Sequence, residues 1–188
     1  MRRLIDDLRD TASVGTGHFA IDPAPMDLAT LIEDVVNEQR VGAGRRRLVL
    51  ESPGEVKGNW DEPRLSQLFT NLIANAINHS DPDGDIHVRL HTRGDQAVVG
   101  VSDEGSGIPL EQQEFLFRPF YRLSATPGVK GMGLGLYIAR AIADAHHSRI
   151  WVESEAGRGS TFYVSLPLSP ETNPSPRDPG SRLRAGRR

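Results

Sequence analysis

Three stretches of this chain hold residue types that could do chemistry, and each by itself admits a plainer explanation. Lys130-Gly131-Met132-Gly133-Leu134-Gly135-Leu136 runs straight into Tyr137-Ile138-Ala139-Arg140. This reads as a glycine-rich turn opening into a helix. Glycine permits positive φ and lets a ligand approach the backbone closely. The first helical turn offers unpaired N–H groups and the positive end of the helix dipole, a combination suited to phosphate. The same glycines would equally serve a C-cap or a loop. In Val101-Ser102-Asp103-Glu104-Gly105-Ser106-Gly107-Ile108-Pro109, a carboxylate ends an apolar, strand-like run and two alternating glycines follow. Asp103 could accept a hydrogen bond from an exocyclic amine. Gly105 and Gly107 would leave room for a flat heterocycle. A tight turn with a polar lip is the alternative. Between Gln67 and Ser80, Leu68, Phe69, Leu72, Ile73, Ala76 and Ile77 fall at helical spacing with Leu65 and read as core. Asn71, Asn75 and Asn78 recur on another face, with His79 beside them. Asn is a mediocre helix former, so its repetition needs a reason. Amide oxygens aimed at a hydrated Mg²⁺ would supply one; a solvated polar face is the alternative.

The elements that must position these residues alternate along the chain. Leu4, Ile5, Leu8 and Ala12 form a short apolar stripe ahead of Gly15 and Gly17, as in the last turns of a helix. A helix this short is marginal in water and needs a partner surface, within the chain or on another subunit. Pro23 and Pro25 mark an extended linker. Asp27 is an N-cap candidate for a helix through Val36. Residues 47–51 and 56–60 read as strands, and Asp61, with Pro63 in the first turn, starts the Asn-bearing helix. Residues 85–91 alternate as a strand, Arg93-Gly94-Asp95 turns a hairpin, and the next strand ends at Asp103. Short helical turns over 109–117 lead into a mobile loop over 118–130. A helix is expected over 132–147, then strands over 149–154 and 161–166. Helices on one face of a mixed sheet give an α+β class, a two-layer α/β sandwich. The division expected is a helix end and linker over 1–21, a globular domain over 22–168, and a basic tail over 169–188, disordered from about residue 170. The arginines of that tail read as solvated, with an anionic partner as the alternative.

Composition excludes several classes. The chain has 188 residues, enough for one domain with small additions. It has no cysteine, so no disulfide, thiolate metal site or cysteine nucleophile. A formal charge of -3 argues against nucleic-acid binding by bulk electrostatics. No apolar stretch approaches a membrane span, and Met1-Arg2-Arg3-Leu4-Ile5-Asp6-Asp7 leads into no signal-peptide core. The expectation is a soluble, cytoplasmic polypeptide. The six His show no paired-ligand spacing for zinc.

Taken in order, Asn71-x-x-x-Asn75-Ala76, Asp103-x-Gly105-x-Gly107, Phe115-Leu116-Phe117-Arg118-Pro119-Phe120-Tyr121-Arg122 and Gly131-x-Gly133-Leu134-Gly135-Leu136 resemble the N, G1, F and G2 boxes of sensor histidine kinases. Gly159-Ser160-Thr161-Phe162 is similar to the closing motif of the same domain. The resemblance covers roughly residues 22 to 168 and implies the Bergerat-type ATP-binding fold. It implies that Asp103 binds the adenine amine on a floor shaped by Gly105 and Gly107, and that Asn75 ligates an Mg²⁺ bridging the phosphates. It also implies that Asn71 supports the reacting end, and that Gly131, Gly133 and Gly135 form the lid hinge and phosphate turn. Asn78, His79, Ile108, Lys130, Leu134, Leu136 and Thr161 would complete the nucleotide's surroundings. Arg118 and Arg122 would stand near the transferred phosphate, and Phe117 and Phe120 would anchor the lid by packing.

Three features bear on the reaction. The gyrase, mismatch-repair and heat-shock branch of the wider superfamily carries Glu, which activates water, where this chain has Asn71. An amide cannot act as a general base at neutral pH, so transfer with slow hydrolysis is expected. Asn78 stands where the family usually carries Lys or Arg. No histidine here has the acidic follower of the family's phosphoacceptor: His18 sits in Gly17-His18-Phe19-Ala20, His79 in the nucleotide helix, and His146 and His147 at a helix end. The resemblance therefore implies a catalytic part whose partner is a histidine-bearing dimerisation domain, in a longer protein or in trans, with a response regulator as indirect partner. An anti-sigma-type serine kinase or an ATP-binding pseudokinase is the alternative.

Overall fold

The first two helices of the domain begin where the sequence offers a side-chain cap. The computed structural model describes residues 9–11, 19–122 and 132–168. Strand β1 (Ala24–Asp27) ends on Asp27, whose carboxylate accepts the Ala29 N–H and caps α1 (Leu28–Arg40). Strands β2 (Arg47–Glu51) and β3 (Lys57–Trp60) follow, and then Asp61 accepts the Arg64 N–H to cap α2 (Glu62–His79). A hairpin of β4 (Asp85–Arg93) and β5 (Gln96–Asp103) leads to the one-turn helix α3 (Leu110–Gln113). Helix α4 (Gly135–Ala145) and the strands β6 (Arg149–Ser154) and β7 (Ser160–Pro167) complete the fold.

The main sheet has the order β2-β4-β5-β7-β6, with β2 parallel to β4 and the other neighbours antiparallel. Its inner face carries Ile86, Val88, Val99, Val101, Phe162, Val164 and Leu166, all buried. The apolar stripe of α2, including Leu65, Leu68, Phe69, Leu72 and Ile73, is buried as well. Each such side chain contributes about 1.5–3 kcal/mol by leaving water. Helices α1, α2 and α4 form the second layer, α2 in the middle touching both others. The outer face is polar and aromatic, with Trp151 and Tyr163 stacked at 5.1 Å and the Arg149 guanidinium over Trp151. This is the mixed two-layer sandwich expected from the sequence. No helix among the described residues is long and apolar enough to cross a membrane.

Two local expectations change, and a third is narrowed. The Pro23–Pro25 stretch is extended, but residues 24–27 pair antiparallel with β3 as a small second sheet. Pro25 is tolerated because the strand is an edge. The helix expected from Met132 starts at Gly135, because Gly133 has φ 72° and breaks the helical path. The helical residues 9–11 have a partner surface within the chain: Asp10 is buried, pairs with Arg64 at 2.9 Å and accepts from Gln67 at 2.7 Å on α2. The apolar stripe Leu4, Ile5, Leu8 and Ala12, the segment 123–131 and the tail beyond Leu168 lie outside the described residues.

Candidate functional site

The site is built where the ends of β5, β7 and α2 meet. Asp103 is the last residue of β5, opposite Ile86 on β4 and Ser160 on β7, with its side chain on the inner face. It is only 7% exposed. Its carboxylate accepts the Gly105 N–H at 3.0 Å, and the Ser160 backbone faces it across the ladder. Burial pushes its pKa up to about 6, and the Gly105 N–H only partly offsets this. A carboxylate so placed is a buried acceptor with few protein donors, ready for one from a ligand.

The two glycines after Asp103 serve the protein itself. A Cβ on Gly105 would overlap the His79 carbonyl, and Gly105 pairs with Ser80 at the end of α2. A Cβ on Gly107, whose φ is 65°, would overlap the Glu155 carbonyl in the β6–β7 turn. Both glycines thus allow backbone to meet backbone, a reason beyond clearing room for a ring.

Helix α2 presents its amides in graded exposure. Asn71 is buried, and its Nδ2 donates to the Gly135 carbonyl at 3.2 Å, tying α2 to the start of α4. A solvated face does not describe it. Asn75 is half-buried one turn on, and Asn78 is exposed. His79 is half-buried; burial holds its pKa down, and the nearby Arg122 adds to this. Arg122 also borders Gly133, so the structure brings His79, Arg122 and the glycine turn together. The Gly133 carbonyl accepts the Phe120 N–H at 3.0 Å, which joins the Phe-rich segment to that turn. The Arg118 guanidinium lies over the Phe115 ring at 4.3 Å. Ile108 and Leu134 are buried in the core and Leu136 packs against it. Lys130 and Gly131 lie outside the described residues.

Two expectations are corrected. Thr161 does not share a face with Asp103. It pairs with Ser102, its hydroxyl 2.9 Å from the Ser102 hydroxyl on the outer face. Ser160 takes the inner position beside Asp103. Strand alternation carries the signal: Phe162, Val164 and Leu166 point inward, so Ser160 does and Thr161 does not. Phe120 does not anchor the segment by packing. It is 61% exposed with φ 62°, while Phe117 packs on the core, edge-on to Phe162 at 6.5 Å. The structure also brings in Ser154 and Gln113, which sequence reasoning left out. The Ser154 hydroxyl accepts the Ile108 N–H, and Gln113 donates to the Ile108 and Ser154 carbonyls. No spacing rule marks them, because their partners are backbone atoms brought close only by the fold.

The family model for histidine kinase-, DNA gyrase B-, and HSP90-like ATPases matches residues 60–170. The chain is 32% identical over 178 residues to the adaptive-response sensory kinase SasA of Synechococcus elongatus, covering 93% of this chain and 46% of that protein. It is 35% identical over 170 residues to the alginate biosynthesis sensor protein KinB of Pseudomonas aeruginosa, covering 88% of this chain and 28% of that one. The chain thus spans less than half the length of these curated relatives. Among solved structures, the catalytic domain of histidine kinase ThkA superposes with a TM-score of 0.69 at 29% identity, over 79% of this chain and 97% of that one. Full-length ShkA, solved in complex with AMPPNP, shares the fold with a TM-score of 0.79 at 23% identity, over 89% of this chain and 35% of that one.

Proposed function

Because this chain belongs to the family of histidine kinase-, DNA gyrase B- and HSP90-like ATPases, we propose that it binds Mg-ATP at the Asp103 corner and presents the γ-phosphate to a histidine outside the chain. The observation that carries this reading is the buried Asp103 carboxylate, held by the Gly105 N–H at the end of β5. It matches the 6-amino group of adenine as a charged acceptor matches a donor. The His79–Arg122–Gly133 cluster, which begins beside Gly105 at the end of α2, is the side we assign to the phosphates.

The donor set fits a magnesium ion carried by the nucleotide. Among the described residues there is no group of three His, Cys, Asp or Glu that could hold a metal. A hard, well-hydrated ion taking most of its ligands from phosphate and water needs only an oxygen or two from protein. Asn75, half-buried on α2, supplies one amide oxygen. Bound Mg²⁺ would offset charge on the phosphates. Arg122 and Arg118 would add cationic charge on the γ-phosphate side, Arg118 after leaving the Phe115 ring. Asn71 offers no general base, so water is not activated and transfer to a side chain prevails over hydrolysis. The acceptor is a histidine-bearing dimerisation domain, a response regulator follows downstream, and the domain works in the cytoplasm, where ATP is present.

Calorimetry with Mg-ATP tests the reading. The wild-type chain should bind, and Asp103→Asn should bind about 1.5–3 kcal/mol more weakly, the worth of a hydrogen bond to a charged group. Equal affinity in the variant would remove Asp103 from the adenine site.

A further inference from the structure

Ser154 closes β6 opposite Ser160, and its hydroxyl is saturated. A serine hydroxyl has one proton and two acceptor positions. The Ile108 N–H donates to it at 2.8 Å, and it donates to the Gly159 carbonyl at 2.7 Å. The Gly159 oxygen can only accept, so the proton of Ser154 is committed there. The Ser160 hydroxyl, 3.0 Å away, is then the donor in that pair. Gln113 completes the joint, its Nε2 donating to both the Ile108 and the Ser154 carbonyls at 2.9 Å.

These bonds join the two segments that hold Asp103. The N–H on the Asp103 carboxylate comes from Gly105, in the loop that Ser154 pins at Ile108. Ser160 faces Asp103 across the β5–β7 ladder, and its hydroxyl donates to Ser154. We propose that Ser154 is the positioning residue of the adenine end of the pocket, fixing the Gly105–Ile108 loop against Gly159–Ser160 so that Asp103 meets the base in one orientation. The inference rests on the ATP-binding reading. Ser154 itself acts through its neighbours and touches no nucleotide.

Replacing Ser154 by Ala leaves the Ile108 N–H and the Gly159 carbonyl without their partner. Thr keeps the hydroxyl and suits a strand. The charged or titratable groups in the segments around Asp103 are His79 at the end of α2, Glu104 beside it, and Glu153, Glu155 and Arg158 of β6 and its turn. All are retained in both variants. The test is calorimetric titration of wild type, Ser154→Ala and Ser154→Thr with ATP and with ADP, at several pH values. Ser154→Ala is expected to bind both nucleotides about tenfold more weakly, because the adenine end is common to them. A loosened Gly105 N–H no longer offsets the burial of Asp103, so the acid midpoint of binding should move to higher pH. Ser154→Thr should behave as wild type. A purely structural role would lower the melting temperature and leave that midpoint in place. Should Ser154→Ala fail to fold, Gln113→Ala removes the brace from the same joint and should shift affinity and midpoint in the same direction by less. Wild-type affinity and midpoint in a folded variant would overturn the role of Ser154. Absence of ATP binding by the wild type would instead overturn the reading beneath it.

Discussion

The Asp103 carboxyl group titrates in a useful range because burial, not a charged neighbour, sets its pKa. Ordinary Asp lies near 3.8 and this one is raised to about 6. Between those values the folded chain binds more protons than the unfolded one. The penalty for ionising Asp103 is therefore complete above the folded value and vanishes below the unfolded one. Nucleotide binding runs the other way, because adenine needs the ionised acceptor. ATP affinity should fall as pH drops through about 6, and in Asp103→Asn it should vary much less over the same range; titrations across that range read the difference. The part of the site legible in the sequence is of this kind. Asp103 was visible because a strand end and two glycines bracket it. Ser160 was missed because the motif drew attention to Thr161, although alternation with Phe162 already decided which of the two points inward. Ser154 and Gln113 were not legible, since the backbone atoms they bind are distant in sequence.

At the level of elements, two contacts tie α2 to α4, one near each end of the pair. Near the nucleotide corner the buried Asn71 amide donates to the Gly135 carbonyl. At the opposite end, the His146 Nε2 accepts the Asp61 N–H at 3.0 Å, and its Nδ1 lies 2.8 Å from the Ile142 carbonyl. Nε2 as acceptor requires the neutral ring with its proton on Nδ1. Burial holds the His146 pKa below its usual 6.5, consistent with that form. Stability from neutral His146 is complete above the unfolded value and is lost as pH falls through the lower folded one. His146→Ala should destabilise by about 1–3 kcal/mol at neutral pH, leaving the Asp61 N–H unpaired. The gap in melting temperature between variant and wild type should narrow as the solution is acidified. A gap independent of pH would mean that His146 acts by packing alone. The helices themselves were legible from apolar spacing, and α1 and α2 also from their Asp caps. The start of α4 was not, because the break depends on the φ of Gly133, and the pairing of β1 with β3 was hidden by the prolines.

At the level of the whole molecule, the proposed reading supplies side chains for holding a phosphoryl group, while no histidine of the sequence stands in the family's acceptor context. Phosphoryl transfer depends on positioning and on charge stabilisation at the transferred group. On the proposed reading, Asn75, Arg118 and Arg122 would serve the second task. None of the six histidines is followed by Asp or Glu. His146 is buried with both ring nitrogens engaged, and His79 is the last residue of α2. The helical residues 9–11 meet α2 through Asp10, Arg64 and Gln67, so the surface that receives a preceding helix lies on the opposite end of α2 from the Asn75–His79 turn. On the proposed reading, a partner's histidine would approach the other end of α2. Incubated with labelled ATP, the chain alone should gain no acid-labile label, and a matched dimerisation domain supplied in trans should become labelled. Acid-labile label on the isolated chain would point first to His18, which lies outside the described residues. Intact ATP binding with no transfer to a matched partner would make this a nucleotide-binding module without kinase activity.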